Sequence, residues 1–142
     1  MAQHKILIEE TFPLPVSRVF AVLSDHEQFG RLLRAPVRRT RDSQQGDPNG
    51  AGSVRLLGIG PFGIEETVTA FVPDRLIEYS ITNGGPIRNH LGRMEFEDLG
   101  NNRTRLVYEI TFEACVPLLG YAVKPALETA IRQGLKRLPQ LA

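Results

Sequence analysis

Apolar residues recur with a period of two through most of this chain, and with a helical period only after the first strand and at the end. Near the start, Ile6 and Ile8 stand on one parity and Leu7 and Glu9 on the other. That alternation predicts a strand, stopped by Pro13 and Pro15. From Pro15, which suits the first turn of a helix, apolar side chains fall at Val16, Val19, Phe20 and Leu23, the i, i+3, i+4, i+7 spacing of one helical face. Ser24 and Glu27 have the spacing of a capping box, and Phe29, Leu32 and Leu33 supply the stripe of a second short helix. Beyond Pro36, turn signals at 46–52, 58–63, 73–74, 83–86 and 100–102 separate stretches rich in Val, Ile, Thr, Tyr and Phe, at about 35–41, 53–58, 63–72, 75–82, 87–97 and 103–113. Six such strands joined by short turns read as an antiparallel meander. After Cys115 the pattern returns to helix as far as about Leu138. The order β-α-α-β-β-β-β-β-β-α is that of an α+β domain whose last helix buries its stripe against one sheet face.

Parity selects the inner face. In the last strand Leu106, Tyr108, Ile110 and Phe112 alternate with Arg105, Val107, Glu109 and Thr111, so the first set points inward. The same reasoning places Met94 and Phe96 inside, and carries Gly92, His90 and Arg88 with them. It also selects Ile77, Tyr79 and Ile81, and then Ile64, Val68 and Ala70. Glu66 falls among the last group, a carboxylate in an apolar row. On the C-terminal helix Ala122, Ala126, Ala130 and Gly134 recur every four residues, flanked by Leu119, Ile131, Leu135 and Leu138. Facing a sheet, this ridge of small side chains either packs very closely or leaves unfilled volume. If it leaves volume, enlarging Ala126 or Ala130 to Leu should be tolerated. Pro125 should kink the helix or mark where its main part begins.

Composition narrows the partners. The 142 residues are expected to form one domain spanning 1–142. Seventeen basic and sixteen acidic side chains leave a net charge of +1, too even for a protein that lives on nucleic acid. Cys115 is the only cysteine, which excludes an internal disulfide and suits a reducing compartment. With neither a signal-peptide core nor a run of about 20 apolar residues, the sequence predicts a cytoplasmic protein without stable membrane insertion. His4, His26 and His90 are scattered and no cysteine pair exists, so neither a metal nor another cofactor is expected. The glycines of Gly58–Gly63 lack the lysine and following helix of a phosphate loop and read as a hairpin turn. Arg31, Arg34, Arg38, Arg39 and Arg41 form the one basic cluster, read either as a solvated strand edge or as a site for an acidic partner or phosphate.

The strings PVSRVFAVLSDHEQF, GSVRLL, EETVTAFVPDRLIEYSI and GRMEFEDLGNNRTRLVYEITF, followed by the helical tail, resemble the SRPBCC superfamily. That superfamily includes START-like, birch-pollen-allergen-like and polyketide cyclase/dehydrase-like proteins. The resemblance runs from about Ile6 to Leu138. It implies the helix-grip fold, in which a curved seven-stranded antiparallel sheet wraps around a long C-terminal helix and encloses a cavity. It implies no single activity, since fold does not fix function. Met94 stands where many members carry a tryptophan.

Chemistry is sought on the inner face. A charge there is costly unless paired, so Glu66, with Arg88 or His90 as candidate inner-face neighbours, is either half of a salt bridge, a strand end reaching solvent, or a carboxylate poised to exchange a proton. His90 is either a hydrogen-bonded pocket wall or an acid/base group. Tyr79 and Tyr108 are either core residues or hydroxyls that orient a ligand. Cys115, without a partner base, reads as an inert thiol. The loops at 58–63, 83–86 and 113–117 should share one end of the domain, with Pro61 and Phe62 at a pocket mouth. Three functions follow. The first is binding of a small, largely hydrophobic lipid, polyketide or aromatic molecule in the cavity, lined by Phe62, Ile64, Val68, Ile77, Tyr79, Arg88, Met94, Ile110, Phe112, Ala126 and Ala130. The second is a cyclase- or dehydratase-like enzyme in which Glu66 or His90 moves the proton and Tyr108 or Arg88 steadies the enolate oxygen. The third is a protein-interaction module with no ligand. The sequence sets no oligomeric state beyond a monomer or weak dimer.

Overall fold

Alternation along the strands is realised as one antiparallel sheet. The structure, a computed structural model, describes residues 3–58, 63–116 and 118–142. It contains β1 (Gln3–Phe12), α1 (Val16–Ser24), α2 (His26–Leu33), β2 (Val37–Arg41), β3 (Val54–Leu57), β4 (Ile64–Val72), β5 (Leu76–Asn83), β6 (Ile87–Gly100), β7 (Arg103–Ala114) and α3 (Leu119–Leu141). The seven strands lie in the order β1-β7-β6-β5-β4-β3-β2. The meander therefore runs from β2 to β7 without a crossover, and α1 and α2 carry the chain from β1 on one edge to β2 on the other. This is the α+β helix-grip arrangement. Among the described residues no helix is long and apolar enough to cross a membrane.

The registers of β1 and β7 bring their inward rows together, Ile6 opposite Ile110 and Ile8 opposite Tyr108. All four are essentially removed from solvent, as are Met94, Leu106 and Phe112. The other parity carries the charges. Arg105 pairs with Glu9 at 3.0 Å, Lys5 with Glu109 at 3.6 Å, and Arg93 with both Glu78 and Glu95. These exposed pairs add little stability each, but they fix which face is wet.

Local details depart from simple periodicity. Asp25, rather than Ser24, caps α2, accepting from the backbone N–H groups of Glu27 (2.9 Å) and Gln28 (3.2 Å). In β4 the register slips between Val68 and Ala70, so Ala70 opposes Glu78 and Phe71 opposes Ile77. Ala70 is thereby turned from the inner row, and Phe71 packs on the core in its place. In β6 the register slips between Arg88 and Leu91 around Asn89, which takes a φ of 50°. One extra residue there leaves Ile87 and His90 buried and puts Arg88 in solvent, against the alternation that carried Arg88 inward.

Helix α3 is also rotated from expectation. Ala122, Ala126 and Ala130 are exposed, while Val123, Leu127, Ile131, Leu135 and Leu138 face the sheet. Both stripes recur at helical spacing, and burial decides between them. Enclosing a Leu or Ile side chain is worth about 1.5–3 kcal/mol, several times what an Ala methyl returns. Of the small ridge only Gly134 is buried, where its backbone meets Leu32 of α2. The helix continues through Pro125, which lies on the exposed side.

The arginine cluster lies on α2, the turn after it and the edge strand β2. Arg31, Arg34, Arg38 and Arg41 are exposed, and Arg39 donates to Asp42 (2.7 Å) and Asn49 (2.9 Å). Charge along an edge strand discourages pairing with another sheet.

Candidate functional site

Two charged residues of opposite sign face each other across β3 and β4 on the inside of the sheet. Arg55 stands opposite Glu66, and its Nε donates to Glu66 Oε1 at 2.8 Å. Both side chains are buried, with 3% and 8% of their surface accessible. Isolated, either would be too costly to enclose; paired, each offsets the other's desolvation. The guanidinium lies between two aromatic rings, 4.3 Å from the Phe29 centroid and 4.6 Å from that of Tyr79. Burial works against the charge on Arg55, yet Glu66 beside it holds its pKa above the ordinary value.

A histidine extends the network away from Glu66. Arg55 Nη1 donates to His26 Nδ1 (3.4 Å), and His26 Nε2 lies 2.9 Å from Ser53 Oγ. Since the guanidinium can only donate, Nδ1 accepts and Nε2 carries the proton toward Ser53. Burial first, and then the charges of Arg55 and Arg39, push the His26 pKa down to about 3. His26 is thus a neutral strut at the start of α2.

On the other side the network continues through rings. Tyr79 lies over Gly92, its partner across the β5–β6 ladder, and a Cβ at position 92 would collide with the Tyr79 ring. Only glycine leaves the ring that place. The hydroxyls of Tyr79 and Tyr108 are hydrogen-bonded to each other. Burial raises both pKa values, so both phenols stay protonated. The His90 ring sits 5.4 Å from that of Tyr79, and its Nδ1 accepts from the backbone N–H of Ile81 at 3.2 Å. Burial lowers the His90 pKa, and Arg55 adds to this against the opposing pull of Glu66.

These groups border a cavity of about 220 Å³ between the sheet and α3. Glu66, Tyr79, His90 and Tyr108 give it a polar side. The remaining walls are apolar: Ile64, Ile81 and Ile110 from the sheet, Phe29 and Leu33 from α2, and Val123, Leu127 and Ile131 from α3. Leu57, Pro86 and Ile87 complete the lining near the strand ends. The turns gather there as the meander requires. Cys115 N–H donates to Pro86 O at 2.8 Å, and Gly84 abuts the carbonyl of Gly63.

Of the residues the sequence singled out, Ile64, Glu66, Tyr79, His90, Tyr108 and Ile110 line this cavity. Val68, Ile77, Met94 and Phe112 are buried in the core but do not border it. Ala126 and Ala130 are exposed on the far side of α3, and Arg88 is exposed with its Nε directed at Cys115 Sγ (3.4 Å). Arg88 is therefore placed neither to pair with Glu66 nor to steady an enolate. Phe62 and Pro61 lie outside the described residues. Sequence reasoning missed Arg55, the true partner of Glu66, together with His26 and the α2 wall. The available signal was an arginine among apolar residues on the short strand β3, next in the meander to the strand that carries Glu66. Among the described residues no group of three or more His, Cys, Asp or Glu side chains is placed to hold a metal ion.

Known structures share this architecture. A START superfamily protein from Mycobacterium smegmatis superposes with a TM-score of 0.80 at 19% identity, covering 98% of this chain and 99% of that one. A protein from Thermus thermophilus gives 0.73 at 18% identity, covering 96% and 95%. Norcoclaurine synthase from Thalictrum flavum, in complex with dopamine and hydroxybenzaldehyde, gives 0.68 at 13% identity, covering 98% and 87%. At these identities the likeness is one of fold. No curated protein matches the chain. The family model described as "Polyketide cyclase / dehydrase and lipid transport" matches residues 3–142, nearly the whole sequence, and the chain belongs to that family.

Proposed function

We propose that this protein binds a small, largely apolar molecule in the cavity between sheet and α3. The observation that carries this reading is a space of about 220 Å³ whose walls are apolar except on one side. That space is roughly half again as large as the ~150 Å³ void that takes up benzene, so the ligand is on the scale of one substituted ring.

Binding is favoured over proton-transfer catalysis by the state of the groups lining the polar side. Glu66 is engaged by Arg55. His90 accepts through Nδ1, so its neutral ring holds the proton on Nε2 and offers no free lone pair to take another. Burial keeps Tyr79 and Tyr108 protonated. His90 and the tyrosines are thus equipped to donate hydrogen bonds, and Glu66 is held by its cation, rather than to abstract a proton.

Native mass spectrometry of freshly purified protein tests the proposal first, with an added mass released on denaturation as the expected result. NMR titration with small substituted rings should then shift the methyl signals of Ile64, Ile110, Val123 and Leu127 together. Absence of any co-purified mass and of any shift in those methyls would refute it and leave the interaction-module reading.

A further inference from the structure

The polar side of the cavity has an inventory of unmatched hydrogen-bonding groups, and it specifies the chemistry of the ligand. Four side chains contribute. Because the Ile81 N–H fills Nδ1 of His90, the neutral ring presents Nε2–H, which has no hydrogen-bond partner among the described residues. The two tyrosine hydroxyls own two protons and consume one in their mutual bond, leaving one O–H without an acceptor among the described residues. Glu66 receives Arg55 on Oε1, and its Oε2 receives no donor from the described residues. The site thus offers two donors and one acceptor, and its charges already cancel, since Arg55 and Glu66 neutralise each other.

We infer that the cavity selects a neutral ring compound bearing a hydroxyl group, a phenol or cyclic alcohol, over hydrocarbons, carboxylates and amines of the same size. This rests on the cavity-binding reading above. A hydroxyl is the complement of two donors and one acceptor: its oxygen accepts from His90 Nε2–H and the tyrosine O–H, and its proton goes to Glu66. A hydrocarbon leaves all three groups unpaired once it displaces the water that would serve them. A carboxylate satisfies both donors but meets the charge of Glu66 with no spare cation, because Arg55 is already engaged by that partner. An ammonium group can reach Glu66 but strands both donors. The geometry gathers these groups on one side of the cavity. Glu66 pairs across the sheet with Ile81, the residue whose N–H holds His90, and the His90 ring is 5.4 Å from Tyr79, whose hydroxyl joins Tyr108.

The test is an NMR titration at neutral pH with three probes of one shape: para-cresol, toluene and para-toluate. We expect para-cresol to bind on the order of tenfold more tightly than toluene, with para-toluate weaker than para-cresol by at least as much. Glu66→Gln exchanges the acceptor for a donor and frees the charge of Arg55, so in that variant the preference for para-cresol over para-toluate should shrink by at least about tenfold or reverse. Equal binding of toluene and para-cresol, or tightest binding of para-toluate by the native protein, overturns this inference and leaves the cavity reading standing. No shift of the cavity methyls with any of the three probes overturns this inference, and if no mass co-purifies either it overturns the cavity reading as well. If Glu66→Gln does not fold, the ranking measured on the native protein still decides.

Discussion

At the end of the interior beneath α1, Phe20 meets Phe71 and Phe96 edge-on at 5.2 and 5.1 Å, with Phe12 and Leu106 buried beside them. Farther along the same sheet, beside the turn at Asn83–Pro86, the space is left partly empty, and the network bordering it holds a buried arginine, a glutamate and two neutral histidines. One sheet and one set of helices thus supply two environments. The aromatic end is what hydrophobic packing alone produces, close-packed apolar rings that carry no polar group. The polar end is not what stability alone would select, since a buried ion pair is often matched or bettered by apolar residues of similar volume. This end borders the apolar cavity, the place where the proposed ligand would meet it.

The comparison is broken most directly at Arg55. Arg55→Met leaves Glu66 buried without its cation and should cost about 3–5 kcal/mol in urea denaturation, while the double variant with Glu66→Leu should recover most of that loss. A single-variant cost below about 1 kcal/mol would mean that Glu66 finds water and that the two ends do not differ as described. Acid should act on the same network. His26 has a folded pKa of about 3, below the ordinary 6.5, so the unfolded chain takes the proton first. Its contribution is complete above about pH 6.5 and is lost as pH falls toward 3, a loss of roughly 3 kcal/mol by pH 4. A series of denaturation curves on the native protein and His26→Gln should show a steeper acid decline in the native protein. Parallel curves would count against the neutral strut.

Enlarging a side chain separates the two ends more finely. Leu106→Phe overpacks the aromatic end and should cost about 1–3 kcal/mol. Leu127→Phe extends into the cavity, so it should cost less than Leu106→Phe and abolish the ligand-induced methyl shifts. The smallest effect belongs to the outer face of α3. Ala126→Leu and Ala130→Leu should change stability by no more than about 0.5 kcal/mol and leave binding intact, because those positions face water rather than the sheet. Loss of binding in either would restore the small ridge to the cavity wall.

Much of this was legible in the sequence where periodicity was long and one-sided. Strand β7 alternates across its whole length, so its inward row could be read directly, and the turn residues placed every strand to within a few positions. Glu66 stood out for the same reason. Legibility failed where periodicity was interrupted or ambiguous. The extra residue at Asn89 reverses the parity that would carry Arg88 inward, and a lone asparagine, though tolerant of the left-handed conformation, marks a bulge only weakly. Arg55 lies on a strand of four residues, too short for alternation to declare an inner face. On α3 two stripes of helical spacing compete, and the larger side chains take the interior because they bury more apolar surface. The sheet side of the cavity was readable from parity, but its size and its walls on α2 and α3 were not, because it is a volume enclosed by residues from three separate elements.

The contact between Tyr79 and Gly92 binds the histories of two positions together. While a tyrosine lies at 79, position 92 can carry no side chain, and once a methyl appears at 92 the ring must shrink or swing away from Arg55 and Tyr108. In homologous sequences the two sites should therefore covary, with glycine at 92 accompanying a large ring at 79 and bulkier residues at 92 accompanying small ones. Lineages that have made the exchange will have lost the phenol pair as well, and should have diverged in what they hold.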